Sequence, residues 1–269
     1  MTTTASQAQD PAPVTAGSIA LEVDNVSKSF GSINALEGAS LKIASGRVTA
    51  LVGDNGAGKS TLVKIMSGIL TPTSGQLRVD GKPVELREAR AAREQGIHTV
   101  FQDLGLVGSL SIVENMFLCT EMKHSFFGIR TPLLNRDAMR IAARKALDNL
   151  GVTTVKDIEA PVESLSGGQR QTVAIARAVR DHARVVILDE PTAALGVAQS
   201  AQVLKLMERL RASGTAVLVV SHNLREVFAV ADTVIVLRLG RVAQVFETKD
   251  TTEEEVVGAI MGVQRKVRQ

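Results

Sequence analysis

The residues with the clearest chemistry form one stretch, Gly53, Asp54, Asn55, Gly56, Ala57, Gly58, Lys59, Ser60 and Thr61, directly after the apolar run Val48 to Val52. The spacing is G-x-x-x-x-G-K-S, with a strand expected before it and a helix after it, running to about Leu70. Glycines let successive backbone amides curl into an anion-binding nest, and the positive end of the helix dipole adds to it. Lys59 can reach β- and γ-phosphates, and the Ser60 hydroxyl can take a place on Mg²⁺. These residue types in this order point to a nucleoside triphosphate bound with magnesium.

Two further groups could act on such a ligand. Asp189 and Glu190 end the continuous apolar run Val185 to Leu188, which reads as a buried strand. Ligand sites of α/β sheets lie at the carboxyl ends of strands. One carboxylate there suits Mg²⁺, directly or through water, and the second can polarise an attacking water in line with the γ-phosphate. Two acids capping the next helix is the plainer reading of the pair. Ser166, Gly167, Gly168 and Gln169 open another expected helix, through Arg180. Free amides at a helix start beside a Ser hydroxyl suit a phosphate, and equally suit an ordinary Ser cap.

The elements that would position these groups alternate between strand and helix. Ile19 to Val26 and Ala35 to Ile43 read as strands around a turn at Ser27 to Gly31, and Gln76 to Leu86 as a hairpin about Asp80-Gly81. A short helix, Glu88 to Glu94, leads to the strand Ile97 to Phe101, which ends on Gln102. Ser111 and Glu114 form a capping box for a helix through Met122. A loop holding Phe126, Phe127, Gly128 and Pro132 follows, then a helix capped by Asn135 and closed by Gly151. This stretch reads as a helical insertion into an α/β core. Helices from Val197 to Ala212 and Leu224 to Val230, strands Thr215 to Val220, Val234 to Leu237 and Val242 to Phe246, and a helix from Thr252 to Met261 complete the chain. The alternation implies a mostly parallel sheet with helices on both faces.

Composition narrows the class. The 269 residues are 45% hydrophobic, enough for a sizeable core, and no apolar run is long enough to span a bilayer. Net charge is only +3 and aromatics are 3% with neither Trp nor Tyr, so nucleic acid is not an expected partner. A single cysteine, Cys119, suits a reducing compartment. Residues 1–18 read as a disordered tail without the features of a signal peptide, and 263–269, with Arg265, Lys266 and Arg268, as a basic tail. A single domain is expected over 19–262, with a helical subdomain at about 103–165.

Leu165 to Gln169 spells LSGGQ, with the phosphate loop (Walker A) before it and VVILDEPT after it. Together these resemble the ATP-binding cassette (ABC) family, the ATPase subunits of ABC transporters, from about Leu21 to Gly262. The resemblance implies an α/β P-loop NTPase core with an N-terminal antiparallel β subdomain and an inserted α-helical subdomain. It implies that Gln102, in VFQD, touches Mg²⁺ and the lytic water. His222, in VSHN, would contact the γ-phosphate, and Phe30 would stack on adenine. Glu190 takes the general-base role and Asp189 the magnesium role. The expected cofactors are ATP and Mg²⁺. The usual S-A-L-D after the second motif is here Ala193-Ala194-Leu195-Gly196, which removes an Asp contact across the family's dimer. EPTAALG, GDNGAGKSTL, FQDLGLVGSLSIVENMFL and SHNLREVFAVAD are similar to the simple-sugar import branch.

In that family the phosphate loop and LSGGQ of one subunit lie too far apart to share a nucleotide. The resemblance therefore implies a head-to-tail dimer, each ATP held between Lys59 of one copy and Ser166 of the other. It further implies transmembrane permease subunits, indirectly an extracytoplasmic sugar-binding protein, and a peripheral place on the cytoplasmic face of the membrane. A single cassette is what fructose-type members have, and an appended regulatory domain of the maltose type is not expected. Cassette ATPases acting on DNA or ribosomes fit less well. The stretch from Gln102 to Ser164 has no sustained heptads for coiled-coil arms, and no internal repeat marks a second cassette in this sequence. A P-loop kinase or GTPase leaves LSGGQ unexplained, and no N-K-x-D motif is present.

Overall fold

A computed structural model describes residues 17–126, 129–181 and 183–263. The expected tails, other than Gly17, Ser18 and Val263, and the loop residues Phe127 and Gly128 lie outside the described residues. Two sheets dominate the rest. Strands β1 (Ile19–Phe30), β2 (Ile33–Ala44), β4 (Ser74–Val79) and β5 (Lys82–Val84) make an antiparallel sheet in the order β2-β1-β4-β5. Strands β3 (Val48–Val52), β6 (Ile97–Val100), β9 (Val185–Asp189), β10 (Ala216–Val220), β11 (Thr233–Arg238) and β12 (Arg241–Glu247) form the second, ordered β12-β11-β3-β10-β9-β6. Only β12 runs antiparallel to its neighbour in that sheet.

Apart from its exposed edge strand β12, the central sheet is buried on both faces, and its inner strands show it residue by residue. In β9, Val186 and Leu188 join one apolar core while Val185 and Ile187 join the other. In β10, Val217 and Val219 are divided in the same way from Leu218 and Val220. Side chains alternate across a strand, so a run without polar breaks feeds two cores at once. One core takes α3 (Ile112–Phe117), α4 (Arg136–Asn149), α5 (Gly167–Val179), α6 (Val197–Ala212), α7 (Leu224–Val230) and α8 (Glu253–Met261). The other takes α1 (Lys59–Met66), α2 (Ala89–Glu94) and the antiparallel sheet. Each fully buried Val, Leu or Ile contributes on the order of 1.5–3 kcal/mol.

Several elements differ from their sequence-based bounds for physical reasons. β1 does not turn at Ser27 but runs to Phe30, because Ser27 pairs with Ser74 and Lys28, Ser29 and Phe30 pair with β2. Pairing on both sides overrides the turn-like composition. α1 stops at Met66, since Gly68 is left-handed and a Cβ there would stand 2.4 Å from Glu88 O. α3 ends at Phe117 and does not reach Met122, as Leu118 leaves helical geometry and Cys119 has a φ of 64°. The insertion is also not wholly helical. The stretch read as a loop through Pro132 forms a hairpin of β7 (Lys123–Phe126) and β8 (Ile129–Leu134).

Candidate functional site

Register brings the carboxyl ends of the parallel strands to one edge. Val220 at the end of β10 is paired with Leu51 of β3 on one side and with Asp189 of β9 on the other. Val100, ending β6, is paired with Leu188. The phosphate loop, Ser221-His222, Asp189-Glu190 and Gln102 therefore leave the sheet along a single edge, the place where α/β sheets hold ligands.

The phosphate loop is shaped by three glycines at positive φ: Gly53 (154°), Gly56 (80°) and Gly58 (105°). At two of them the neighbours also demand glycine. A Cβ on Gly53 would stand 2.1 Å from Leu237 O, and one on Gly58 2.6 Å from Ala35 O. Several of the loop's carbonyls are turned to internal use. Lys59, only 9% exposed, donates from Nζ to Gly53 O at 2.8 Å and to Asp54 O at 2.9 Å. Gly240 N donates to Ala57 O at 3.0 Å. Among the described residues, the Gly56 and Gly58 amides form no hydrogen bond. The first amides of α1, at Lys59 and Ser60, have no intrahelical acceptor. A loop with acceptors engaged and donors left over, closed by an ammonium, is matched to an anion.

Asp189 is half-buried, and its burial holds the carboxyl above the ordinary range. The neighbouring Glu190 charge adds to this, while Lys59 and Lys64 oppose it. A carboxylate kept from water beside a second one is suited to a cation. Among the described residues no group of three or more His, Cys, Asp or Glu could hold a metal. A metal here therefore needs hydroxyl and phosphate oxygens as well, a donor set that suits magnesium. Glu190 sits at a φ of 48°, unusual for a residue with a Cβ, with its amide bonded to Val220 O at 2.9 Å. Its Oε1 lies 3.4 Å from His222 Nδ1, and the histidine is 65% exposed against 26% for the glutamate. The imidazole thus stands at the solvent side of the carboxylate. A cavity of about 520 Å³ opens beside them, lined in part by Thr192, Leu195, Leu204 and Glu226.

The remaining candidates fall into place differently. Gln102 is exposed two residues past the end of β6, and no hydrogen bond engages its side chain among the described residues. Phe30 is 47% exposed at the tip of β1, with Lys28 Nζ 5.3 Å from its ring centroid. Ser166 caps α5: its Oγ accepts from Gln169 N at 3.3 Å while Gln169 Oε1 accepts from Ser166 N at 2.9 Å. Gly167 and Gly168 face α6 and the segment before it, where added Cβ atoms would stand 3.2 Å from Leu195 Cδ2 and 3.0 Å from Gln199 Cβ. Among the described residues no hydrogen bond or ion pair joins Ser166–Gln169 to the phosphate loop.

Three residues near the site escaped the sequence reading. Thr192 Oγ1 bonds to Glu226 Oε2, closing the wall beside Glu190. Asn115, fully buried, donates from Nδ2 to the carbonyls of Val107, Leu110 and Ser111 and accepts from Val107 N. Arg177 bonds to two carbonyls just beyond Gln102. The available signal for the last two was a polar residue inside an apolar helical stretch.

The fold and the sheet edge define a P-loop α/β nucleotide-binding protein. Residues 36–193 match the ABC transporter family. The chain is 44% identical over 243 residues to the fructose import ATP-binding protein FrcA of Rhizobium meliloti, covering 90% of this chain and 94% of that one. It is also 44% identical to the xylose/arabinose import ATP-binding protein XylG of Sulfolobus acidocaldarius, over 88% and 91% of the two chains. The ribose import ATP-binding protein RbsA of Corynebacterium glutamicum is 42% identical, but this chain spans only 45% of it. Among solved structures, cbiO1 of Clostridium perfringens, described as part of an ABC transporter complex, superposes with a TM-score of 0.74 at 29% identity, over 91% and 93% of the chains. The dimeric bacterial ABC transporter cassette MJ0796 gives 0.71 at 26%, over 86% and 100%. The chain belongs to the ABC transporter family, and within it to the ATP-binding, ATP-hydrolysing subunits.

Proposed function

We propose that this chain powers the import of a simple sugar, binding ATP with Mg²⁺ at the seam of a head-to-tail dimer and hydrolysing it there. The sugar-import names of its relatives support the transport reading. The observation that carries the site is the division of labour in one chain. Loop amides, carboxylates, glutamine and histidine share a sheet edge, while Ser166–Gln169 is bonded within its own helix start.

In this reading the amides of Gly56, Gly58, Lys59, Ser60 and Thr61 cradle the β- and γ-phosphates. Lys59 exchanges its two carbonyl partners for phosphate oxygens. Asp54, Asn55 and Ala57 shape the loop, and Phe30 receives the adenine face. Ser60, Gln102 and Asp189 would hold Mg²⁺, which neutralises charge on the phosphates. Glu190 accepts a proton from the water attacking the γ-phosphorus as the bond to the β–γ bridging oxygen breaks and ADP departs. His222, 3.4 Å from Glu190, orients that carboxylate and faces the γ-phosphate. Ser166, Gly167, Gly168 and Gln169 of the second copy complete the phosphate shell. ATP then favours the closed dimer, because those contacts exist only there.

The working unit is residues 19–262, with the inserted subdomain at about 103–165. No helix among the described residues is long and apolar enough to cross a membrane. The membrane path belongs to permease subunits, supplied from the far side by a sugar-binding protein, with this chain docked at the cytoplasmic face. The deciding experiment is Glu190→Gln with ATP and Mg²⁺, followed by sedimentation. A stable ATP-loaded dimer without turnover is expected. A strictly monomeric species with undiminished turnover refutes the reading.

A further inference from the structure

Beyond Gln102 the chain crosses from β6 to α3 through Asp103–Leu110, and two side chains hold that path. Leu104 and Gly105 are both left-handed, with φ of 59° and 53°. Leu104 N donates to Phe101 O at 2.9 Å and Gly105 N to Asp103 O at 2.7 Å, so the chain reverses immediately after the glutamine. A leucine at positive φ persists only where its surroundings over-determine it. Here the constraint is Arg177, whose Nη2 donates to Leu104 O at 2.7 Å and Nη1 to Gly105 O at 2.6 Å. A planar guanidinium reaches two adjacent carbonyls at once, which an ammonium does less well. The far end is pinned by the four hydrogen bonds of buried Asn115.

Arg177 lies in the last turn of α5, the helix that begins at Gly167 beside Ser166. It is half-buried, and burial together with the charges of Arg93 and Arg180 holds its pKa below the usual guanidinium value. No ion pair engages it among the described residues, and both of its hydrogen bonds go to the loop after Gln102. A desolvated cation needs compensating contacts, and these two hydrogen bonds together with the nearby Asp103 charge, in the same loop, supply them.

The geometry points to Arg177 as a positioning residue, a strut by which the helix carrying the LSGGQ segment fixes the backbone of Gln102 and passes the segment's displacement to it. This rests on the roles proposed above for Gln102 and Ser166. Through the strut, engagement of Ser166 with a nucleotide on a neighbouring copy is felt at the glutamine of the same chain. A rigid helix with a two-point hydrogen-bonded end is a physical link between the two sites.

The test is a double-mutant cycle of Arg177→Lys and Gln102→Ala in the full chain, reading ATP turnover and amide exchange of residues 103–106. Arg177→Lys keeps charge and stem but removes the fork. It should lower kcat about tenfold, with KM for ATP changed by less than about twofold. In the Gln102→Ala background its further effect should fall below about twofold. Exchange at 103–106 should quicken in Arg177→Lys while α5 and β9 stay protected. Arg177→Met should act in the same direction. Equal losses in both backgrounds, or unchanged exchange at 103–106, overturn the strut. If Gln102→Ala alone turns over ATP like the wild type, the role of Gln102 fails instead. The exchange data then still decide whether Arg177 holds the segment.

Discussion

The phosphate loop and the LSGGQ segment are built from the same parts, glycines and a serine hydroxyl at a helix start, and they use them in opposite ways. Gly53, Gly56 and Gly58 are all at positive φ, and the Gly53, Asp54 and Ala57 carbonyls are occupied while the Gly56 and Gly58 amides stay available. Gly167 and Gly168 have no positive φ; their missing Cβ atoms let α5 lie against Leu195 and Gln199. Ser166 spends its hydroxyl on Gln169 N. The first segment presents its free amides and an ammonium together within one chain. The second is a packed and capped helix start, whose contact with a nucleotide in the proposed mechanism requires a second copy. Similar parts thus end in different states, decided by which backbone groups remain unpaired.

The largest expected effect tests the self-contained half. Lys59→Ala removes the ammonium that closes the loop, and ATP hydrolysis should fall by roughly 10²–10³-fold. Binding of a fluorescent ATP analogue should weaken in parallel; wild-type binding would break the contrast. Glu190→Gln comes next. Turnover should drop by about 10²–10⁴-fold with nucleotide affinity kept, measured by phosphate release beside equilibrium binding.

Ser166→Ala sharpens the other half. It should cost about 1 kcal/mol of stability through the lost cap, read by chemical denaturation. ATP-dependent dimerisation should weaken while ATP binding to the monomer is unchanged. Loss of monomer binding would mean that the two segments share a nucleotide within one chain.

The pH test concerns Asp189. Its folded-state pKa is raised above the ordinary 3.8, so the stability linked to its protonated form is present below that value and lost as pH rises through the raised pKa. Asp189→Asn should therefore melt higher than the wild type without nucleotide. The gap should widen as pH rises above 3.8 and close toward acid. The same substitution should abolish the stabilisation that Mg²⁺ adds in the presence of ATP. The smallest effect is expected at Gly196, the N-cap of α6, where a Cβ meets nothing within 4 Å. Gly196→Asp should add a few tenths of a kcal/mol through better capping, seen as a small rise in melting temperature.

Much of this was legible in advance because it is local. Ser111 with Glu114, Asn135 and Ser166 form the caps that their positions allow. The bounds of α6 and α7 follow directly from apolar periodicity and their stops. The hairpin at 123–134, the length of β1 and the roles of Asn115 and Arg177 were not legible. The length of β1 and the contacts of Arg177 depend on partners distant in sequence, Ser74 for Ser27 and Leu104 for Arg177, while the hairpin and Asn115 have nearby partners that no turn or cap spacing marks.

The linear order of residues therefore determined the chemistry on offer: a glycine loop that can bare its amides, two carboxylates closing an apolar strand, and helix starts with their own caps. Their assembly was decided by the tertiary structure. Pairing of β3, β9, β10 and β6 in one register brings the ends of strands far apart in the chain to a common edge. The physical reason is that backbone conformation and capping are settled within a few residues. Which unpaired groups come to face one another depends on sheet order and packing, which no short window of sequence contains.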